Sequence, residues 1–231
     1  MKKLLLPLLV LCSSCFGLNL AAFEVCIQSS VSGTVTCDLD PNTGGTPWLV
    51  NHEIHIMRSN VIITTSSGAI LKRDPSFYTG PMLTTSGGKW TNVVIQNLKF
   101  DGNRYAITIP PNGPYPYTPT QGCAPPNYPV AEIELTGIAH VEITGIKVIN
   151  SLSHSLDLDG NYSFVTLSEF GWEGPSSGSR NSAISFASHP LFMYGSYGAV
   201  VSFNKIGYSG GLAIGMGGDS QIAYGNTIAS K

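Results

Sequence analysis

Apolar residues recur at a fixed set of positions in four windows of the chain. Counted from the first residue of a window, the apolar positions are +0, +2, +5 and +7, and the positions between them are mostly polar. All sixteen positions are apolar: Val93, Ile95, Leu98, Phe100; Val141, Ile143, Ile146, Val148; Val165, Leu167, Phe170, Trp172; and Val201, Phe203, Ile206, Tyr208. The chain therefore repeats one structural unit at least four times.

The spacing within each window predicts two short strands joined by a bend. A spacing of two is that of a β-strand, and the single spacing of three shifts the alternation by one residue without producing a helical period. We expect Asn97, Gly145 and Asn204 at the bend, because Asn and Gly adopt a left-handed backbone most readily.

A third short strand precedes each window, as in the Ile-Glu-Leu of residues 133–135 and the Leu-Asp-Leu of residues 156–158. Three strands in a repeat of about 22–24 residues, stacked along one axis, predict an all-β parallel β-helix. A β-sandwich is the alternative, but it would not explain the shared shift of phase. Residues about 23–50 would form an N-terminal cap, and residues about 104–129 an inserted loop.

Composition agrees with a folded, turn-rich chain. Of the 231 residues, only 11% are charged, while 26 are Gly and 15 are Pro, so intrinsic disorder and a charge-laced coiled coil are both disfavoured. The net charge of -2 supplies no basic surface for nucleic acid. We expect no nucleic-acid partner.

The N-terminus has the order of a secretory signal. Lys2 and Lys3 precede an apolar run over residues 4–11, which is too short to span a membrane, and small residues follow. Cleavage after Gly17 or Ala22 fits this pattern, so residues 1–22 are assigned to the signal. No later stretch reaches the length of a transmembrane segment, and a secreted or periplasmic protein is expected.

Export places the cysteines in an oxidising compartment. Cys26, Cys37 and Cys123 remain after the signal is removed, an odd number. Cys26 and Cys37 flank a hairpin-like stretch and are the expected disulfide, whereas Cys123 lies in the long loop and is left over.

Four segments carry a resemblance to a known superfamily. They are residues 59–63 (Ser-Asn-Val-Ile-Ile), 68–71 (Gly-Ala-Ile-Leu), 92–95 (Asn-Val-Val-Ile) and 100–104 (Phe-Asp-Gly-Asn-Arg). They resemble the opening coils of secreted right-handed β-helix proteins of the pectate lyase superfamily. The resemblance implies a right-handed helix, but its motifs are poor guides to the reaction. The catalytic motifs of the polygalacturonases and of the calcium-dependent lyases are not found. Residues 210–215 match the spacing of one polygalacturonase motif but lack its histidine.

Position along the stack points to a candidate site. Glu134 and Asp157 are one coil apart, so they should lie above one another on the outer face at about 4.8 Å, and Asp159 would enlarge the same patch. Neighbouring carboxylates share a proton or a cation, and oxygen ligands suit Ca²⁺. His154 precedes this strand and could act as base or acid. Solvated surface carboxylates and a structural turn histidine are the alternatives.

Four further residues are candidates for binding an anionic sugar. Tyr115 and Tyr117 lie among the prolines of the long loop, where aromatic faces could stack on sugar rings, and Lys147 and Arg180 could pair with carboxylates. Plain solvated charge is the alternative for the two cations.

These features predict a secreted polysaccharide-active protein, either a lyase or a glycoside hydrolase acting on acidic, uronate-containing glycans. A non-catalytic adhesin or tailspike-like carbohydrate-binding β-helix is the alternative. The partner would be a polysaccharide, and the protein is expected to be a monomer. Because the chain stops within a coil, we expect it to be the N-terminal part of a longer protein.

Overall fold

The computed structural model describes residues 17–85, 88–103, 106–107, 131–151, 154–171, 184–186, 196–207 and 214–229. Tyr115, Tyr117 and Arg180 lie outside these residues, as does nearly all of the loop at 104–129. Within the described part, no helix is long and apolar enough to cross a membrane.

The described residues form one α-helix and twenty strands. The helix α1 spans Leu20–Gln28. The first ten strands are β1 (Val35–Asp38), β2 (Trp48–Val50), β3 (Ile54–His55), β4 (Val61–Thr64), β5 (Ile70–Arg73), β6 (Leu83–Thr84), β7 (Thr91–Gln96), β8 (Lys99–Asp101), β9 (Ile133–Thr144) and β10 (Lys147–Ile149). The others are β11 (Leu156–Thr166), β12 (Glu169–Phe170), β13 (Ile184–Phe186), β14 (Ser196–Tyr197), β15 (Val200–Ser202), β16 (Lys205–Ile206), β17 (Ile214–Met216), β18 (Gly218–Asp219), β19 (Ile222–Tyr224) and β20 (Thr227–Ile228).

The fold is a parallel β-helix. Eleven strands form one sheet, seven form a second in the order β2-β5-β8-β10-β12-β16-β20, and β14 pairs with β18. Every strand pair in the described residues is parallel, and the two strands of a pair belong to neighbouring coils of the chain. Stacked coils of this kind satisfy the backbone of one coil with that of the next.

Apolar side chains of successive coils form columns inside the helix. One column of paired residues contains Ile63, Ile95, Ile143, Val165 and Val201, all of them fully buried. A second column in the seven-stranded sheet contains Leu71, Phe100, Val148, Phe170 and Ile206. Each coil thus covers the apolar residues of the preceding one, which is the main source of stability in a solenoid.

The bend differs from expectation in two coils. Val165 pairs with Ile143 and not with Val141, so these two coils are 22 residues apart. The windows that begin at Val165 and Val201 are therefore displaced by two residues relative to the two earlier windows. Leu167 and Phe203 consequently occupy the bend, with φ of 50° and 55°, and they are 66% and 55% exposed instead of buried. Asn204, which was expected at the bend, points inward and is 1% exposed.

Hydrogen bonds explain why an asparagine occupies this interior position. Asn204 Nδ2 donates to the carbonyl of Val165 at 2.9 Å, and its Oδ1 accepts from the backbone N–H of Ser168 at the same distance. Asn226 Oδ1 in turn accepts from Asn204 N and Nδ2 at 3.0 Å. The amide satisfies backbone groups at the bend that an apolar residue would leave unpaired.

The helix α1 lies against β1 and β3 and shields the first apolar residues of the stack. Asn19 caps it by accepting a hydrogen bond from Ala22 N, and its inner face buries Phe23 and Ile27. A disulfide between Cys26 and Cys37, with Cα atoms 5.8 Å apart, joins the helix to β1; this is the pair expected from the sequence.

The folded region starts before residue 23. Leu18 forms a parallel bridge with Leu39, donating its N–H to Asp38 O at 2.7 Å and accepting from Asp40 N at 2.9 Å. Residues 18–22 therefore take part in the folded domain in this structure.

Candidate functional site

Glu134 and Asp157 are register partners on neighbouring strands. The pairing of β9 with β11 sets Glu134 opposite Asp157, and Thr136 opposite Asp159. Glu134 and Asp157 alternate with buried leucines and isoleucines, so both side chains face outward and are partly exposed. Neighbouring strands are about 4.8 Å apart, and the two backbones hold the carboxylates in the same region of the surface.

The acidic pair is a local feature of the stack. The column that contains it continues as His55 and Thr84 towards the N-terminus and as Ser185 and Gly215 towards the C-terminus. A carboxylate occupies this column position only on β9 and β11 among the described strands.

His154 joins this pair through a short hydrogen bond. Its Nδ1 lies 2.6 Å from Oδ1 of Asp157, and the two side chains are 17% and 24% exposed. The bond fixes the orientation of the imidazole ring and leaves Nε2 directed away from Asp157. No described residue provides a hydrogen-bond partner for Nε2.

The turn that carries His154 is held by buried contacts. The backbone carbonyl of His154 accepts from Glu132 N at 3.0 Å, and that of Ser155 accepts from Ile133 N at 3.3 Å. The hydroxyls of Ser151 and Ser155 lie 2.9 Å apart, and both residues are buried. The histidine is thus attached to the same strand that carries Glu134.

The described side chains do not by themselves form a calcium site. Within the described ranges, no three His, Cys, Asp or Glu side chains lie close enough together to hold a metal ion. Ca²⁺ takes six to eight oxygen ligands, and Glu134 and Asp157 supply two carboxylates, one of which already binds His154. Binding of Ca²⁺ remains a prediction.

Lys147 lies in the other sheet. It is on the outer face of β10, directly between Lys99 on β8 and Glu169 on β12. Its Nζ is 3.6 Å from Glu169, and Lys205 on the next strand is 3.0 Å from the same carboxylate. The hydrogen bond from Lys205 lowers the pKa of Glu169 below its usual 4.5, opposed by partial burial and assisted by the charge of Lys147. The structure does not bring Lys147 to the His154 pair.

The Asp-Gly-Asn of residues 101–103 has a structural role in this fold. Asp101 Oδ1 accepts from Asn103 N at 2.9 Å and from Asn150 Nδ2 at 3.0 Å, and Asn103 Nδ2 donates to Arg73 O. Asn103 has a φ of 51°, which its small polar side chain tolerates. These bonds join three successive coils at one corner.

Sequence reasoning missed the ion pair between Arg73 and Glu132. The residues are far apart in sequence, and nothing in the pattern distinguishes Arg73 from an exposed strand residue. Glu132 is buried and stands two residues before Glu134, immediately ahead of β9.

Comparisons with known proteins add the fold and little more. No protein-family model and no curated protein matches the chain. A crystal structure from Parabacteroides merdae ATCC 43184, described as that of a putative glycosyl hydrolase, is similar in fold. It has 16% sequence identity and a TM-score of 0.52, with 84% of this chain and 81% of that chain covered. At this identity the likeness concerns the fold alone.

Proposed function

We propose that this protein is a secreted enzyme that cleaves polysaccharides, as a lyase or a glycoside hydrolase on acidic glycans, and that His154 and Asp157 transfer the proton. One observation carries the proposal: an imidazole and a carboxylate are 2.6 Å apart on the outer face, with a second carboxylate on the adjacent strand. A histidine oriented by an aspartate is a common general base.

The hydrogen bond determines which nitrogen of His154 can act. If Asp157 accepts the Nδ1–H, the neutral ring carries its lone pair on Nε2, which faces away from Asp157. In a lyase this nitrogen would remove the proton beside the uronate carboxylate; the electron pair forms the C4–C5 double bond, and the C4–O bond breaks. Glu134, the register partner of Asp157, would in its protonated form donate a proton to the leaving oxygen. In a hydrolase the same base would activate a water molecule.

The proposal also includes Ca²⁺, which would bind Glu134 and Asp157 together with the carboxylate of the substrate. It would neutralise the substrate carboxylate, which two protein carboxylates would otherwise repel.

Three further findings support a secreted, carbohydrate-active protein. The N-terminal pattern is that of an export signal, and the Cys26–Cys37 disulfide is stable in an oxidising compartment. The description of the Parabacteroides merdae structure as that of a putative glycosyl hydrolase supports a carbohydrate substrate.

The experiment compares wild type with His154→Ala on polygalacturonate, alginate and xylan, with and without added Ca²⁺. Reducing ends and the ultraviolet absorbance of unsaturated uronate are both followed, because only elimination yields the second signal. His52→Ala is the matched control, since His52 also contacts a carboxylate, Glu24 at 3.1 Å, but on the cap.

We expect His154→Ala to lower the rate by at least about a hundredfold, as for loss of a general base, and His52→Ala to leave it unchanged. A wild-type protein that releases neither product, or a His154→Ala variant that retains its rate, would refute the assignment.

A further inference from the structure

Exposed aromatic side chains of β9, β11 and β14 lie on the outer face of successive coils. They are His140 on β9, Tyr162 and Phe164 on β11, and Tyr197 on β14, and we call them the aromatic strip. The last three are 45%, 44% and 46% exposed, and His140 is also exposed. Neither the core nor the His154 site uses them.

Three rings of the strip, those of His140, Tyr162 and Tyr197, contact one another. The ring centroids of His140 and Tyr162 are 5.1 Å apart with an interplanar angle of 11°, so these rings are stacked. Tyr197 meets Tyr162 edge to face at 5.7 Å and 82°. The register explains the contacts, because Ala139 pairs with Asn161 and so sets the next residues, His140 and Tyr162, side by side.

The backbone under this stack is strained. Tyr162 has a φ of 54°, a conformation in which a bulky side chain is an outlier, and His140 has a φ of 53°, which histidine adopts more often than most residues. At the same bend, the earlier coils have Asn60 and Asn92, joined by a 2.8 Å amide hydrogen bond, and the later coil has Gly198. These smaller residues suit the left-handed backbone.

Tyr162 keeps an unfavourable left-handed backbone although nearly half of its side chain stays exposed. Residues in strained backbone conformations cluster at ligand-binding sites. Leu167 and Phe203 are also strained and exposed, so strain selects Tyr162 as a binding residue only together with the contacting rings of His140 and Tyr197.

We propose that the aromatic strip binds the pyranose rings of a polysaccharide. Phe164 faces outward and pairs with Glu142 on β9 and Val200 on β15, so an aromatic ring and a carboxylate are neighbours on the outer face. Sugars combine apolar C–H faces with hydroxyls, and both find partners here. A phosphate polymer would be repelled by Glu142. Successive coils are about 4.8 Å apart, close to the length of one sugar unit, so the strip can hold two or three units.

The strip shares no residue with the His154 pair. Tyr162 is five residues from Asp157 along β11, a span of at most roughly 18 Å. The inference goes beyond the proposed function and shares with it only the assumption of a polysaccharide ligand, since binding needs no bond cleavage.

Binding is measured by affinity gel electrophoresis in polygalacturonate, alginate, xylan and glucomannan, using the full chain with His154→Ala so that the ligand stays intact. The test variant is Tyr162→Asn combined with Phe164→Thr, because Asn is the residue of the earlier bends and Thr suits a strand. We expect the double variant to bind about tenfold more weakly than the parent, measured as retardation in a gel that contains a polysaccharide to which the parent binds. Tyr162→Phe should retain binding because it keeps the aromatic ring.

Phe203→Asn is the matched control. Phe203 also has a positive φ, is 55% exposed and meets Tyr224 edge to face at 5.2 Å, but it belongs to the other bend. Melting temperatures equal to or above that of the parent show that the variants are folded. Failure of the parent to bind any of the four polysaccharides, or an equal loss in Phe203→Asn, would overturn the inference. Retained binding without cleavage by wild type would overturn only the proposed function.

Discussion

Arg73 and Glu132 form an ion pair with no exposed side-chain surface, although 59 residues separate them in sequence. Arg73 Nη2 and Nε donate to Glu132 Oε2 at 2.6 and 3.1 Å, and Nη1 donates to the carbonyls of Gly80 and Phe77. Glu132 N also donates to His154 O. The pair therefore ties β5 to the chain that carries both Glu134 and the His154 turn.

Breaking this pair should be costly. We expect Arg73→Leu to lower the free energy of unfolding by about 3–5 kcal/mol, because it leaves a buried carboxylate without its cation. The double variant with Glu132→Leu should lose less than Arg73→Leu alone, since no charge then stays buried. Urea denaturation of the three proteins measures this, and a double variant that is the least stable would contradict the explanation.

The inward Asn204 gives a second prediction. Asn204→Leu should lower the unfolding free energy by roughly 2–3 kcal/mol, although it adds apolar volume to the core, because Val165 O and Ser168 N lose their partners. Thermal and urea unfolding provide the measurement. A neutral or stabilising effect would show that the amide is dispensable inside the helix.

The exposed bend residue Leu167 offers the opposite sign. Its φ of 50° is unfavourable for leucine and its side chain is 66% exposed, so Leu167→Asn should raise the unfolding free energy by about 0.5–1 kcal/mol. Leu98→Asn, at a buried position beside the bend of an earlier coil, is the control and should be strongly destabilising. If Leu167→Asn destabilises as well, the left-handed backbone is not the source of strain.

The carboxylate of Glu169 predicts a dependence of stability on pH. Its pKa is lowered by Lys205 and Lys147, so the charged form is favoured in the folded state. The sign follows: this stabilisation is present above the usual pKa of 4.5 and is lost as pH falls through the lowered value. The pair is partly exposed and contributes at most about 1 kcal/mol.

The measurement compares wild type with Glu169→Gln across pH. The variant should be less stable than wild type at pH 7. The difference in unfolding free energy should shrink as the pH falls below 4.5, the usual pKa of Glu169 in the unfolded chain. A difference that is the same at pH 7 and in strong acid would mean that charge is not its cause.

The fold at the N-terminus bears on the export signal. Since Leu18 pairs with Leu39 and Asn19 caps α1, cleavage after Ala22 would remove the bridge, the cap and the first residues of the helix. We therefore expect a mature N-terminus at or before Leu18. Mass spectrometry of the secreted protein checks this, and a mature chain starting at Phe23 would contradict it.

The sequence by itself determined the periodic part of the molecule. Strand residues that alternate in and out must repeat at each coil, because every coil presents its apolar face to the next one. The columns through Ile95 and Ile143 follow from this rule, and so does the pairing of Glu134 with Asp157 over 23 residues. The Cys26–Cys37 disulfide could also be predicted, because the two cysteines are close in sequence.

Only the tertiary structure decided where the repeat departs from regularity. Leu167 and Phe203 fit the apolar pattern, yet they lie outside, because Ser168 and Asn204 next to them hydrogen-bond the backbone within the bend. The contact of His154 with Asp157 depends on the path of a turn, and that of Arg73 with Glu132 on two segments from different coils. A repeat pattern fixes which residues face inward within a coil, but hydrogen bonding and charge across coils select the partners.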